Sequence, residues 1–188
     1  PKRITAERLD GLRAALPPRI VDRERRYAGL GVPADLVSPL AGSGFAPLFE
    51  KTVGDGISPK LAALVLAQYP KRLKKKGLPA GRLDEGTLSA VLEAVRAGRL
   101  YKEGILPLLV SALETGKSVR DLLPSPPDEK AFRKDIGPVV AAVAEAKLAS
   151  DAARTRRAMG LLMTTWRGRV DGAAAAAECE ARLAGGAR

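Results

Sequence analysis

The sequence predicts an all-α protein: a helical domain followed by a smaller three-helix C-terminal tail subdomain. Three observations carry this prediction. Apolar residues recur mainly at spacings of three and four, the signature of helices with one buried face. Sustained period-two alternation is missing, as is any Asn-Gly or Asp-Gly hairpin between β-branched runs. Aromatic residues make up only 4% of the chain, low for a sandwich or barrel built from ring-rich strands.

Ile4, Leu9, Leu12 and Leu16 suggest a first helix, stopped by Pro17 and Pro18. A second, strongly basic helix runs over 19–27 and ends before Gly29, Leu30 and Gly31. Ser58 followed by Pro59 marks a helix start, a capping serine with proline at the first helical position. Leu61, Leu64, Val65 and Tyr69 form its apolar face, and Pro70 is expected to kink or end it. Asp84 is expected to cap the next helix, with Leu88, Val91, Leu92 and Val95 on one side and Gly98 beyond its end. Residues 101–115 read as another helix stopped by Gly116, with a kink or break expected at Pro107.

Pro124, Ser125, Pro126 and Pro127 form the best linker, since three prolines in four residues favour an extended connection. It divides the chain into an N-terminal basic connection (1–30), a helical subdomain (31–123) and a three-helix tail (128–188), with the boundary near 126. In the tail, Asp135 and Pro138 precede Val139, Val140 and Val143, Asp151 precedes a run to Trp166, and Asp171 precedes an alanine-rich helix. Acidic caps there suit the positive ends of the helix dipoles. Met159, Leu162, Met163 and Trp166 fall at i, i+3, i+4 and i+7, a core stripe. Gly160 within it weakens the helix by about 1 kcal/mol against Ala, which suggests close packing of another helix at that point.

At 188 residues the chain is long enough to bury a core without disulfides, and its single cysteine, Cys179, cannot form one internally. Histidine is absent, which removes imidazole acid–base chemistry, Ser-His-Asp triads and His-ligated zinc. Gly29, Gly31, Gly42 and Gly44 form no phosphate loop, because no Gly-Lys-Ser/Thr follows and no strand precedes. Asp84 and Glu85 are explained by capping, and Cys179 has no basic partner that would activate its thiol. Catalytic residues, metal and cofactor are accordingly all expected to be none. No window reaches the roughly 18 uncharged apolar residues of a membrane span. The charged N-terminus lacks a secretory pattern, so a cytoplasmic location is expected.

Thirty-two Lys and Arg against twenty-one Asp and Glu give a net charge of +11. Residues 1–30, 71–127 and 128–188 each carry an excess of cations, whereas 31–70 does not. A basic surface so distributed favours polyanionic partners, because each cation meeting a phosphate releases condensed counterions. Lys71, Arg72, Lys74, Lys75 and Lys76 place five cations in six positions and form the first candidate phosphate-binding group. Its plain counterpart is a solvated helix end, favourable against the negative end of the dipole. Arg154, Arg156, Arg157, Arg167 and Arg169 form the second; at helical spacing 154, 156 and 157 fan around the helix rather than share a line.

The stretch from Arg157 to Gly172, RAMGLLMTTWRGRVDG, resembles the tail signature of the YqeY family: a Met-Gly-x-x-Met helix, a basic glycine turn and a last helix. LPPR from Leu16 through YAGLGVP from Tyr27 is similar to the helical connection preceding this domain in the B and E subunits of tRNA-dependent amidotransferases. FAPLFE from Phe45, SPKLAA from Ser58 and GRLYKEGILPLL from Gly98 continue the resemblance in order, closer to the archaeal-type E subunit. It covers about residues 14–184. The resemblance implies a mobile, non-catalytic module that grips tRNA near the outer corner of the L, while chemistry occurs in the catalytic domains of a larger parent enzyme. A similar module is appended to some bacterial glutaminyl-tRNA synthetases, where it aids tRNA(Gln) binding. With neither an amidotransferase catalytic cradle nor a synthetase nucleotide-binding signature, the chain is expected to be a domain of such a parent. Its Arg- and Ala-rich composition favours the synthetase appendage, with an amidotransferase tail as the alternative. The rival from another class is a protein-docking tail with little RNA contact, resting on the apolar run Ile105, Leu106, Leu108 and Leu109.

Overall fold

In the computed structural model the described residues are 5–125, 129–146, 148 and 150–185, and among them there is no β-strand. Ile4, Pro126 and Pro127, and with them the expected boundary near 126, lie outside the described residues. Helices are α1 (Ala6–Ala15), α2 (Ile20–Gly29), α3 (Ala34–Ala41), α4 (Ala46–Gly54), α5 (Pro59–Ala63) and α6 (Tyr69–Lys75). They continue with α7 (Glu85–Arg96), α8 (Lys102–Thr115), the short α9 (Val119–Leu122), α10 (Glu129–Ala144), α11 (Asp151–Trp166) and α12 (Gly172–Gly185).

Two hydrophobic clusters form. The larger is drawn from α2 to α9, with Tyr27, Phe49, Leu40, Val65, Leu73, Leu88, Ile105 and Leu109 buried at its centre. The smaller joins Phe132, Ile136, Val140 and Val143 of α10 to Ala158, Leu162 and Trp166 of α11 and to Ala175 and Cys179 of α12. The apolar run in α8 is core at Ile105, Leu108 and Leu109, and Leu106 is half-buried against the same cluster. The stripe on α11 behaves as its spacing requires: Leu162 and Trp166 are buried, and Met159 and Met163 pack against the cluster.

Several local expectations are corrected. Pro70 neither ends nor breaks its helix, because the chain widens into a π turn over Leu64–Gln68, where the Tyr69 N–H donates to the Leu64 carbonyl. That five-residue step makes room for the proline ring, so α5, the π turn and α6 follow one another without interruption. Helix α8 runs unbroken through Pro107, and α10 through Pro138, both on exposed sides where water can take the missing hydrogen bond. Asp135 thus lies inside α10 and caps nothing; its carboxylate accepts from the Trp166 indole N–H at 3.1 Å. Ser150, one residue before Asp151, caps α11 by accepting from the Ala153 N–H at 3.2 Å. Asp84 and Asp171 do cap, accepting from the N–H groups of Thr87 at 2.7 Å and Ala174 at 2.8 Å.

The first helix forms, but Leu9 and Leu12 on it are exposed, and Leu16, just past the helix, is 67% exposed. A side chain at Gly160 would meet nothing within 4 Å, so no helix packs there. The close approach occurs instead at Gly168, whose backbone meets that of Gly104 at the start of α8. The Tyr101 N–H donates to the Gly168 carbonyl at 2.9 Å, tying the turn after α11 to the larger cluster.

Candidate nucleic-acid interface

Leu73 is fully buried and anchors α6, and the cations stand around it. At about 100° per residue, Lys71, Arg72, Lys74 and Lys75 spread over roughly the outer half of the helix, with Lys76 just past its end. All five are exposed, and among the described residues none pairs with a carboxylate. Lys74, Lys75 and Lys76 also stand at the helix C-terminus, where the dipole favours cations.

The second group is less uniform. Arg154 pairs with Asp151 at 2.7 Å and leaves its Nε buried without a partner. Arg156 donates from Nε to the Ala152 carbonyl at 3.2 Å, while Arg157 is exposed and has no ion pair among the described residues. Arg167 is exposed at the end of α11. The Arg169 guanidinium lies over the Trp166 ring at 4.6 Å, and its Nε is also buried and unpartnered. Ten residues of helix separate Arg157 from Arg167, about 15 Å at 1.5 Å per residue, so the five arginines do not form one patch.

Glu103, in the first turn of α8, lies near both Tyr69 of α6 and the start of α12. Tyr69 lies within electrostatic reach of both Arg72 and Glu103; burial raises its phenol pKa, the Arg72 charge opposes the rise and the Glu103 charge adds to it. Glu103 in turn packs against Gly172, where a Cβ would stand 3.0 Å from its Oε1. Arg167 and Arg169 stand just past the C-terminal end of α11, whereas Arg154, Arg156 and Arg157 stand in its first two turns.

Sequence reasoning missed one further basic group. Arg82, just before α7, and Lys117 and Arg120, three residues apart at the entry to α9, line a cleft of about 590 Å³ between the start of α7 and the loop from α8 to α9. No charge run marks them, and only the packing of α7 on α9 brings Arg82 beside the other two.

Among the described residues no three His, Cys, Asp or Glu side chains are grouped to hold a metal ion, and no helix is long and apolar enough to cross a membrane. Cys179 is fully buried with its Sγ 3.9 Å from the Met159 sulfur, and burial pushes its thiol pKa up, away from a reactive thiolate.

No family model and no solved structure matches the chain. Curated proteins do. The chain is 31% identical over 165 residues to the E subunit of glutamyl-tRNA(Gln) amidotransferase from Archaeoglobus fulgidus, covering 86% of this chain and 26% of that protein. Its counterpart in Natronomonas pharaonis is 30% identical over 162 residues, 83% of this chain and 26% of the relative. That of Methanospirillum hungatei is 29% identical over 174 residues, 90% of this chain and 28% of the relative. The chain is thus homologous, over most of its own length, to about a quarter of the length of the glutamyl-tRNA(Gln) amidotransferase E subunit.

Proposed function

We propose that this chain is a non-catalytic helical module of a tRNA-dependent amidotransferase that holds tRNA, with tRNA(Gln) its species, by the phosphate backbone near the outer corner of the molecule. The catalytic domains of the parent enzyme are its other partner. The observation that carries the reading is the set of five unpaired, exposed cations, Lys71, Arg72, Lys74, Lys75 and Lys76, on a helix anchored by buried Leu73. Such an array engages successive phosphates without reading bases, as shape-directed RNA recognition requires. Arg167, Arg169, Arg154, Arg156 and Arg157 extend the contact along the smaller cluster. The similarity to amidotransferase E subunits supports the amidotransferase parent in preference to the synthetase appendage that composition favours. In the same reading, residues 31–123 and 128–188 are two subdomains, and 1–30 is the connection toward the parent. A tethered RNA grip lowers the parent's effective dissociation constant without adding to its chemistry.

The test is titration of the chain with a tRNA(Gln) transcript by fluorescence anisotropy at about 50 and 200 mM salt, where phosphate contacts decay steeply. An unrelated tRNA and a duplex DNA serve as comparisons. Saturable binding that prefers tRNA and weakens with salt is expected. Alanines at 71, 72, 74, 75 and 76 should weaken it and flatten its salt slope. Absence of binding at the lower salt would overturn the reading in favour of a protein-docking tail.

A further inference from the structure

We propose that the cleft between α7 and the α8–α9 loop is a second RNA phosphate site, with Arg82, Lys117 and Arg120 as its cations. The inference rests on the tRNA-binding reading and adds to it a site that lies outside both basic groups of the sequence.

The cleft holds about 590 Å³, within the range of ligand sites. Its floor is apolar, made by buried Leu83, Ala90, Leu113 and Val119, while Arg82, Lys117 and Arg120 are exposed along its rim. Asp84 is the one carboxylate among the lining residues; it accepts from the Thr87 N–H, and hydrogen bonding to the Thr87 side chain and then to its N–H holds its pKa below the usual carboxylate value. The α7 N-terminus is therefore capped from within, and attraction for an anion comes from the three side chains, none of which has an ion-pair partner among the described residues. Three cations face one carboxylate, which leaves the lining an excess of two positive charges.

The rim is stiff. Gly116 ends α8 in a left-handed conformation at φ +70°, its N–H bonded to the Ala112 carbonyl at 2.9 Å. The Thr115 hydroxyl donates to the Ser111 carbonyl at 2.7 Å and accepts from the Lys117 N–H at 3.3 Å. The Ser118 hydroxyl accepts from the Arg120 N–H at 3.2 Å, and buried Val119 pins the loop to the core. Lys117 and Arg120 thus spring from a backbone that needs little ordering on binding, which lowers the entropic cost of each contact.

Continuity with the α6 cations argues for RNA as the ligand. The single turn Ala80–Arg82 packs on α6, and the Leu78 N–H donates to the Leu73 carbonyl at 3.1 Å, so Arg82 prolongs the basic surface of α6 toward the cleft. A strand tracking the α6 cations is thereby led to Arg82, Lys117 and Arg120, where the apolar floor suits the ribose or an unstacked base. Free inorganic phosphate shares the chemistry that the rim recognises.

The test is amide NMR of the full chain with tRNA(Gln) transcript, inorganic phosphate and poly-glutamate as separate arms, together with anisotropy on an Arg82→Ala, Lys117→Ala, Arg120→Ala variant. With tRNA, amides at 82–87 and 116–120 should shift at saturating transcript. The triple variant should bind about tenfold more weakly, with its salt slope reduced by about 2. An Arg82→Lys, Arg120→Lys variant should keep the wild-type slope, since point charges suffice for phosphate. If the wild type binds tRNA while the triple variant keeps both affinity and slope, the cleft is not an RNA site and the tRNA reading survives. If phosphate or poly-glutamate saturates these amides and tRNA does not move them, the ligand assignment is overturned. Loss of all tRNA binding by the wild type would overturn the parent reading and this inference together.

Discussion

Gly104 and Gly168 meet backbone to backbone: a Cβ built on Gly104 would stand 2.6 Å from the Gly168 Cα, and one on Gly168 would stand 2.4 Å from the Gly104 Cα. With the Tyr101 N–H bonded to the Gly168 carbonyl at 2.9 Å, this contact seats the turn after α11 on the first turn of α8. No other residue fits either position without moving the backbone. Gly168 also takes φ +76°, a conformation that L side chains resist.

Gly104→Ala is expected to destabilise the chain by about 1–3 kcal/mol through overpacking, and Gly168→Ala by at least as much because strain adds to overlap. Gly160→Ala is the internal control: nothing stands within 4 Å of its Cβ, so helix propensity should stabilise by up to about 1 kcal/mol. Urea unfolding followed by the fluorescence of Trp166, the single tryptophan, measures all three. Equal midpoints for the three variants would refute the close-contact account.

Trp166 organises the smaller cluster, edge-on to Phe132 at 5.4 Å and hydrogen-bonded to Asp135. Trp166→Ala should cost about 3–5 kcal/mol and unfold α10 to α12, read as lost helicity by circular dichroism. Trp166→Phe retains a ring and should cost far less. A Trp166→Ala variant with wild-type helicity and melting would show that the cluster does not depend on the indole.

Tyr27 is fully buried, and its hydroxyl donates to Glu50 Oε1 at 2.9 Å; burial, then the Glu50 hydrogen bond, push its pKa up to about 12. Arg23 at 3.2 Å and Arg26 share the same carboxylate. A folded pKa above the unfolded value near 10 means that this contribution is complete below pH 10 and is lost as pH rises toward 12. Between those values the wild type should lose stability with a steeper slope than Tyr27→Phe, as measured by denaturation at a series of alkaline pH values. Parallel curves would remove the tyrosine from the alkaline transition.

Cys179 should resist a thiol reagent in the native chain and react on the order of a hundredfold faster in urea, since burial disfavours its thiolate. Comparable rates in both conditions would mean that α12 opens readily.

The helices were legible because their determinants are local. Asp84, Gly116 and the α11 stripe act within a turn or two of their own position, so spacing alone exposes them. The prolines misled for the opposite reason. Whether Pro70 ends a helix depends on the π turn before it, and whether Pro107 and Pro138 do so depends on which side of the helix faces solvent.

By itself the sequence determined an all-α chain, the cation array of α6 and the resemblance in ordered motifs to amidotransferase tails, because periodicity, charge runs and short motifs are properties of contiguous residues. The tertiary structure decided that Gly168 rather than Gly160 is the close-packed glycine, that Asp135 serves Trp166 rather than a helix end, and that Arg82, Lys117 and Arg120 share a cleft. Each of these joins residues distant in the chain, and a contact of that kind is set by how helices pack and not by any local pattern that a reading along the chain can detect.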